Sequence, residues 1–161
     1  MAQPVTPAQK RLSALVETTG LSVGVAESLT GGELSARLGA TPGSGAWFRG
    51  GIVAYSSDVK RSLLGVPPGP VVAEIAATVM ATGACRLLGA DIAVSVTGVA
   101  GPDEQDGEPP GTVWFALHHS GEATTTLLQH FPGDPEDVVD ATCTQAIDLL
   151  IEALEVVRGA D

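Results

Sequence analysis

Aromatic side chains are scarce, at 4% of 161 residues, so any core must be built mainly from Val, Leu, Ile and Ala. Cations are scarce too. Eight Lys and Arg face 19 Asp and Glu, for a formal net charge of −11. A phosphate backbone or an anionic membrane surface needs clustered Lys and Arg, so this balance excludes both as general partners. It still leaves room for one small phosphate pocket made of backbone N–H groups and one or two cations. Cysteine is limited to Cys85 and Cys143, which sit at apolar helical positions without a CxxC spacing or a nearby His. They read as buried thiols. His118, His119 and His130 have no carboxylate partner at a ligand spacing, so no metal is expected. The N-terminus lacks a signal-peptide pattern and no apolar run reaches the length of a membrane span, which sets the expectation of a cytoplasmic protein.

What is present is a chain that is 44% hydrophobic and of ordinary single-domain size, expected to form one domain over 1–161. Thr6-Pro7-Ala8-Gln9 is a capping-box pattern opening a helix over 6–19, which Gly20 closes. Short apolar runs at 22–26, 48–55 and 91–96 read as strands, the last of them continuous enough to be buried on both faces. Helices are expected over 31–38, 57–64 and 72–88, the last with Ile75, Val79, Gly83 and Leu87 on one side. Two strands, 112–118 and 124–131, flank a Ser120-Gly121 turn, and a final helix runs over 134–157. Gly50-Gly51 inside the second strand signals a bulge or close packing. The order αβαβααβββα implies an α/β fold, a three-layer α/β/α sandwich around a mixed, mostly parallel sheet.

Ligands of such sheets bind at the carboxyl ends of the strands, where three loops combine hydroxyls with glycines or a helix start. The first is Glu27-Ser28-Leu29-Thr30-Gly31-Gly32. Thr30 and Glu33 form a capping box there, and the paired glycines suit a ligand approaching the main chain, with N–H groups for a phosphate or an oxyanion. The second is Tyr55-Ser56-Ser57-Asp58-Val59-Lys60, in which Ser57 is the expected N-cap. A Lys held near the positive end of a helix dipole is a candidate for a neutral base, able to activate a serine. The third, Thr97-Gly98-Val99-Ala100-Gly101-Pro102, offers a backbone nest. The residues alone leave two readings open: a Ser–Lys hydrolase or a binder of phosphate ligands.

Four motifs go further. "AESLTGG" (26–32), "PGSGAWFRGGIVAYSSDVKRSLLGV" (42–66), "AVSVTGVAGPD" (93–103) and "GTVWFAL" (111–117) occur in this order. Together the chain resembles the CinA C-terminal-domain family over about 140 residues. The resemblance implies a nicotinamide mononucleotide (NMN) amidohydrolase in its stand-alone form, converting NMN and water to nicotinate mononucleotide and ammonia without a cofactor. It implies Ser28 as nucleophile, Lys60 as its base and Tyr55 as a proton relay or donor toward the leaving ammonia. Glu27, Thr30, Gly31, Gly32, Ser57, Thr97, Gly98, Ala100 and Gly101 are the expected substrate contacts, in the role of oxyanion, phosphate or ribose partners. The partner is a small mononucleotide, with a homodimer as a further expectation. Trp47 and Phe48 are then either core or a dimer contact.

The chain departs from the family pattern at defined points. Leu29 stands where the family has Cys, and Ser57 where it often has Asn. The family's Phe-x-Gly-Asp-Arg-x-x-Val-Arg reads here as Phe131-Pro132-Gly133-Asp134-Pro135-Glu136-Asp137-Val138-Val139, without either arginine. The alternative to a deamidase is therefore a catalytically weak or inactive nucleotide-binding, competence-associated relative.

Overall fold

The structure, a computed structural model, describes residues 3–160. Its elements are α1 (Pro7–Thr19), β1 (Val23–Glu27), α2 (Glu33–Gly39), a 3-10 turn at Ser44–Ala46, β2 (Phe48–Val53), α3 (Ser57–Leu64), α4 (Glu74–Leu88), β3 (Ile92–Gly98), β4 (Thr112–His119), β5 (Thr125–His130) and α5 (Pro135–Ala160). The order expected from the sequence holds, with one added turn where a plain loop was expected.

The sheet is ordered β2-β1-β3-β4-β5. β1 pairs in parallel with β2 and β3, and β4 pairs antiparallel with β3 and β5. β4 alone therefore runs against the other four strands. β1 and β3 are buried along their whole length, as their unbroken apolar runs require of central strands covered on both faces. Edge strand β2 alternates between half-buried and exposed positions. One apolar layer joins α1, α2 and α5 to the sheet through Leu12, Leu15, Leu34, Leu38, Leu150 and Leu154. The opposite layer joins α3 and α4 to it through Leu64, Ala76, Met80 and Ala84. Trp47 is buried in the first layer, so it is core, and Phe48 packs half-buried beside it. Both cysteines are buried. Burial pushes the Cys143 thiol up to about 12.

α1 forms as its sequence dictates: Thr6 accepts from the Gln9 amide, the Gln9 side chain answers to the Thr6 amide, and Gly20 closes the helix in the left-handed region. α4 corrects the sequence reading. Its expected apolar side holds only in part: Gly83 is buried and Val79 packs half-buried against the core, but Ile75 is 55% and Leu87 43% exposed. The buried face is Ala76, Ala77, Met80, Ala81, Gly83, Ala84 and Cys85. Small side chains let this helix lie close to the sheet and to α3. A Cβ on Gly83 would come within 3.2 Å of the Leu64 carbonyl oxygen. Gly50-Gly51 serves both expected purposes. The β1–β2 register shifts beside Gly50, and a Cβ on Gly51 would collide with the Ser35 hydroxyl of α2. Among the described residues no helix is long and apolar enough to cross a membrane.

Candidate active site

β1, β2 and β3 point the same way, so their carboxyl ends open at one edge of the sheet. There the three loops meet around a cavity of about 300 Å³. Ser28 and Leu29 line it from the first loop, Tyr55 from the second, and Gly98 through Gln105 from the third. Of the expected site residues, Ser28, Tyr55, Gly98, Ala100 and Gly101 share this cavity.

Glu27, Thr30, Gly31 and Gly32 do something else. Glu27 is fully buried. Its Oε1 accepts from Thr30 Oγ1 at 2.6 Å, from the Gly32 amide at 3.2 Å and from the Leu34 amide at 2.9 Å. Its Oε2 accepts from the Ser35 amide at 2.9 Å and from Ser35 Oγ at 2.5 Å. The carboxylate thus occupies the positive end of α2, where a ligand anion was expected. Two further amides of this turn are used as well: Gly31 N–H donates to the Ser28 carbonyl and Glu33 N–H to the Thr30 carbonyl. The Thr30–Glu33 capping box is not formed. The N-cap is Gly32, left-handed at φ 105°, and Thr30 turns inward to Glu27. The turn is a built support that leaves Ser28 at the cavity wall, and the paired glycines serve its geometry.

The second loop is also shifted. Ser56, not Ser57, caps α3, accepting from the Val59 amide at 3.2 Å. Ser57 becomes the first helical residue and does not line the cavity. Lys60 lies one turn in, on the buried side and only 1% exposed. Its Nζ donates to the Tyr55 carbonyl oxygen at 3.1 Å. Burial pulls the ammonium below its ordinary value of 10.5, partly offset by the nearby Asp106 carboxylate, while Arg61 adds to the lowering. The Tyr55 side chain points to solvent, 71% exposed, so the phenol is available to a ligand and the backbone carbonyl holds the lysine.

Thr97 is fully buried, donates to the Val71 carbonyl at 2.7 Å and does not line the cavity. Asp106 was not singled out by the sequence reading. Its Oδ2 accepts from the Val71 and Val72 amides at 2.8 and 3.0 Å, which ties the long third loop to the approach of α4. It is the one non-glycine with positive φ, 54°, among the described residues. The Asp106-Gly107 pair, a turn dipeptide, was the available signal. Among the described residues, the amides of Ala100 and Gly101 have no intramolecular acceptor, whereas Val99 donates to the Thr112 carbonyl and Gly111 to the Val99 carbonyl. Two unpaired donors on the cavity wall suit an oxyanion.

The chain is similar to known proteins along nearly its whole length. It is 43% identical over 147 residues to a CinA-like protein of Citrifermentans bemidjiense, covering 87% of this chain and 35% of that protein. To a CinA-like protein of Mycobacterium tuberculosis it is 40% identical over 148 residues, covering 88% and 34%. The chain thus spans about a third of the length of these curated relatives. Among solved structures, a competence-damaged protein (CinA) superfamily protein from Klebsiella pneumoniae superposes with a TM-score of 0.89 at 36% identity, over 95% of this chain and 99% of that one. The competence/damage inducible protein CihA from Agrobacterium tumefaciens gives 0.86 at 30% identity, over 96% and 99%. The profile of the CinA C-terminal domain matches residues 5–154, and the chain belongs to that family.

Proposed function

We propose that the chain is an amidohydrolase that deamidates a pyridine mononucleotide, NMN and water giving nicotinate mononucleotide and ammonia. The observation that carries this reading is the juxtaposition of Ser28 with the Tyr55 turn that holds a buried, pKa-depressed Lys60. In the proposed cycle neutral Lys60 takes the Ser28 proton as Oγ attacks the carboxamide carbon. The oxyanion forms against the Ala100 and Gly101 amides. The C–N bond breaks as the lysine returns the proton to nitrogen, with the Tyr55 phenol beside the leaving ammonia. Water then cleaves the Ser28 ester, its proton passing through Lys60 to the serine. Lys60 Nζ bonds the Tyr55 carbonyl and not Ser28 in this structure. Catalytic hydrogen bonds of this kind are often loose before substrate arrives.

The experiment is ammonia release from NMN. Wild type is expected to turn over, and Ser28→Ala and Lys60→Met to lose at least about 100-fold in kcat/KM, the general range for removing a nucleophile or its base. Circular dichroism establishes that both variants are folded. Wild-type rates in either folded variant would remove that residue from the mechanism. A second reading, binding without turnover, draws on Lys60 being engaged by the Tyr55 carbonyl rather than by Ser28. Calorimetric binding of NMN with no ammonia from any carboxamide would favour it.

A further inference from the structure

The third loop carries a carboxylate that the proposed cycle leaves unused. Gln105 and Glu108 exchange backbone hydrogen bonds at 3.2 and 2.8 Å, so Asp106-Gly107 is a two-residue hairpin turn. Both turn residues have positive φ, 54° and 76°, the geometry that selects Asp-Gly and Asn-Gly. The turn follows directly on Gly98 through Gln105, which form the cavity wall. Its tip delivers the Asp106 carboxylate to residues 65–72, the segment that joins α3 to α4.

That segment is built onto Lys60. The Val66 amide donates to the Lys60 carbonyl at 3.1 Å, and Arg61 Nη2 donates to the Gly69 carbonyl at 3.1 Å. Val66 and Val71 are buried with Leu64 of α3, with Ala26 of β1 and with Ala54, the residue before Tyr55. At the far end Thr97 Oγ1 donates to the Val71 carbonyl at 2.7 Å, and Asp106 Oδ2 accepts from the Val71 and Val72 amides at 2.8 and 3.0 Å. The cavity wall and the segment anchored on Lys60 are thus clasped together at Asp106.

The carboxylate also bears on the proton of Lys60. Burial disfavours the ammonium; Asp106 acts against that lowering and Arg61 adds to it, and among the described residues these are the two charged groups that act on the lysine. The Tyr55 phenol turns to solvent. In the proposed cycle a buried ammonium forms when Lys60 takes the Ser28 proton, held by the Tyr55 carbonyl. A carboxylate at the loop tip favours that ion and the transition state leading to it. Resting on the amidohydrolase reading, we propose that Asp106 is a positioning residue of the reaction: it docks the cavity wall onto the segment anchored at Lys60 and is the counter-charge to the ammonium that forms there as Ser28 attacks. Asp106 takes no proton itself. The proton passes from Ser28 Oγ to Lys60 Nζ and on to the leaving nitrogen.

Asp106→Asn makes the test. Asn-Gly suits the same turn, and the side-chain carbonyl can still accept from the Val71 and Val72 amides, so the variant keeps the fold and loses the charge. The chain has two lysines, Lys10 and Lys60, so lysine-selective carbon NMR reads Lys60 directly, with the exposed Lys10 as reference and Lys60→Met as assignment. In Asp106→Asn the Lys60 signal is expected to titrate at lower pH than in wild type, while Lys10 stays in place. Ammonia release from NMN should follow it. Its kcat/KM should rise at lower pH than in wild type and level off several-fold lower, because the base is weaker and its ammonium has lost its partner. Asp103→Asn, which removes another carboxylate of the same loop, should leave the Lys60 signal where it is. A Lys60 signal that does not move in Asp106→Asn, or that moves as far in Asp103→Asn, overturns the proposal. So does a fall in rate with the midpoint of the pH profile unchanged, the mark of a merely structural role. A shifted Lys60 signal in a protein that releases no ammonia from NMN overturns the amidohydrolase reading and leaves the pairing of Asp106 with Lys60 standing.

Discussion

Glu27 shows how one buried carboxylate can organise a nucleophile loop. Its oxygens receive three backbone amides and two hydroxyls, all within eight residues of it along the chain. Glu27→Ala leaves those donors buried without an acceptor, at about 1–3 kcal/mol for each unsatisfied group before relaxation or water entry. A net loss of about 2–4 kcal/mol in urea denaturation is expected, with Ser28 reactivity falling in step. Gly51 belongs to the same arrangement, because its missing Cβ makes room for the Ser35 hydroxyl that Glu27 holds. Gly51→Ala should therefore cost about 1–3 kcal/mol by overpacking. A stability within 0.5 kcal/mol of wild type would show that α2 can shift without consequence. At this scale the sequence exposes chemistry better than support. Ser28, Tyr55 and Lys60 stood out by residue type at strand ends. The role of Glu27 did not, because capping rules look three residues ahead for a side chain at the helix start, and this cap comes from the preceding strand. The same local rule misplaced the α3 cap by one residue, at Ser57 instead of Ser56, since adjacent serines satisfy it equally.

Among the elements, α4 separates what periodicity can read from what it cannot. Its existence and C-terminus were legible from the apolar run and from Gly89, which is left-handed at φ 61°. Its buried face was not. A search for large apolar residues selects Ile75 and Leu87, whereas the sheet admits only Ala, Gly, Met and Cys on that side. Close approach selects for smallness, and smallness carries little hydrophobic signal. The two readings of this helix give opposite mutational outcomes. Ala81→Leu, at a position with no exposure, should destabilise by about 1–3 kcal/mol. Ile75→Ala, on the exposed side, should fall within about 0.5 kcal/mol of wild type. Thermal or urea unfolding of the pair decides between them. The central strands were legible for the converse reason: β1 and β3 are covered on both faces, so their burial needs no choice of side. Strand direction was legible only as a majority, because the single reversal at β4 follows from the long 99–111 loop before that strand and the tight Ser120-Gly121 turn after it, not from its composition.

For the whole molecule, the balance of protons between folded and unfolded chains ties the site to stability. Lys60 titrates below 10.5 when folded because burial disfavours the ammonium. Between its folded-state pKa and 10.5 the unfolded chain binds the extra proton, so this residue makes stability rise with pH across that window. The cysteines act in the opposite sense. Burial raises both thiols, Cys143 to about 12, so above 9.0 the unfolded chain loses protons that the folded chain keeps, and stability falls. Wild type alone mixes the two trends. The difference between wild type and Lys60→Met isolates the lysine, since the cysteines contribute equally to both chains. Below its folded-state pKa the folded protein carries a buried ammonium with a single carbonyl acceptor, and there replacement by methionine should stabilise by about 1–3 kcal/mol. That advantage should shrink as pH rises toward 10.5, measured as the gap between urea midpoints at successive pH values. A gap independent of pH would mean that Lys60 titrates like an exposed amine and is no candidate for a neutral base. The same proton governs turnover under the proposed mechanism, so activity should rise with pH over the range in which the gap closes. Under the proposed mechanism, the lysine that costs the fold stability while protonated is, once neutral, the base for Ser28.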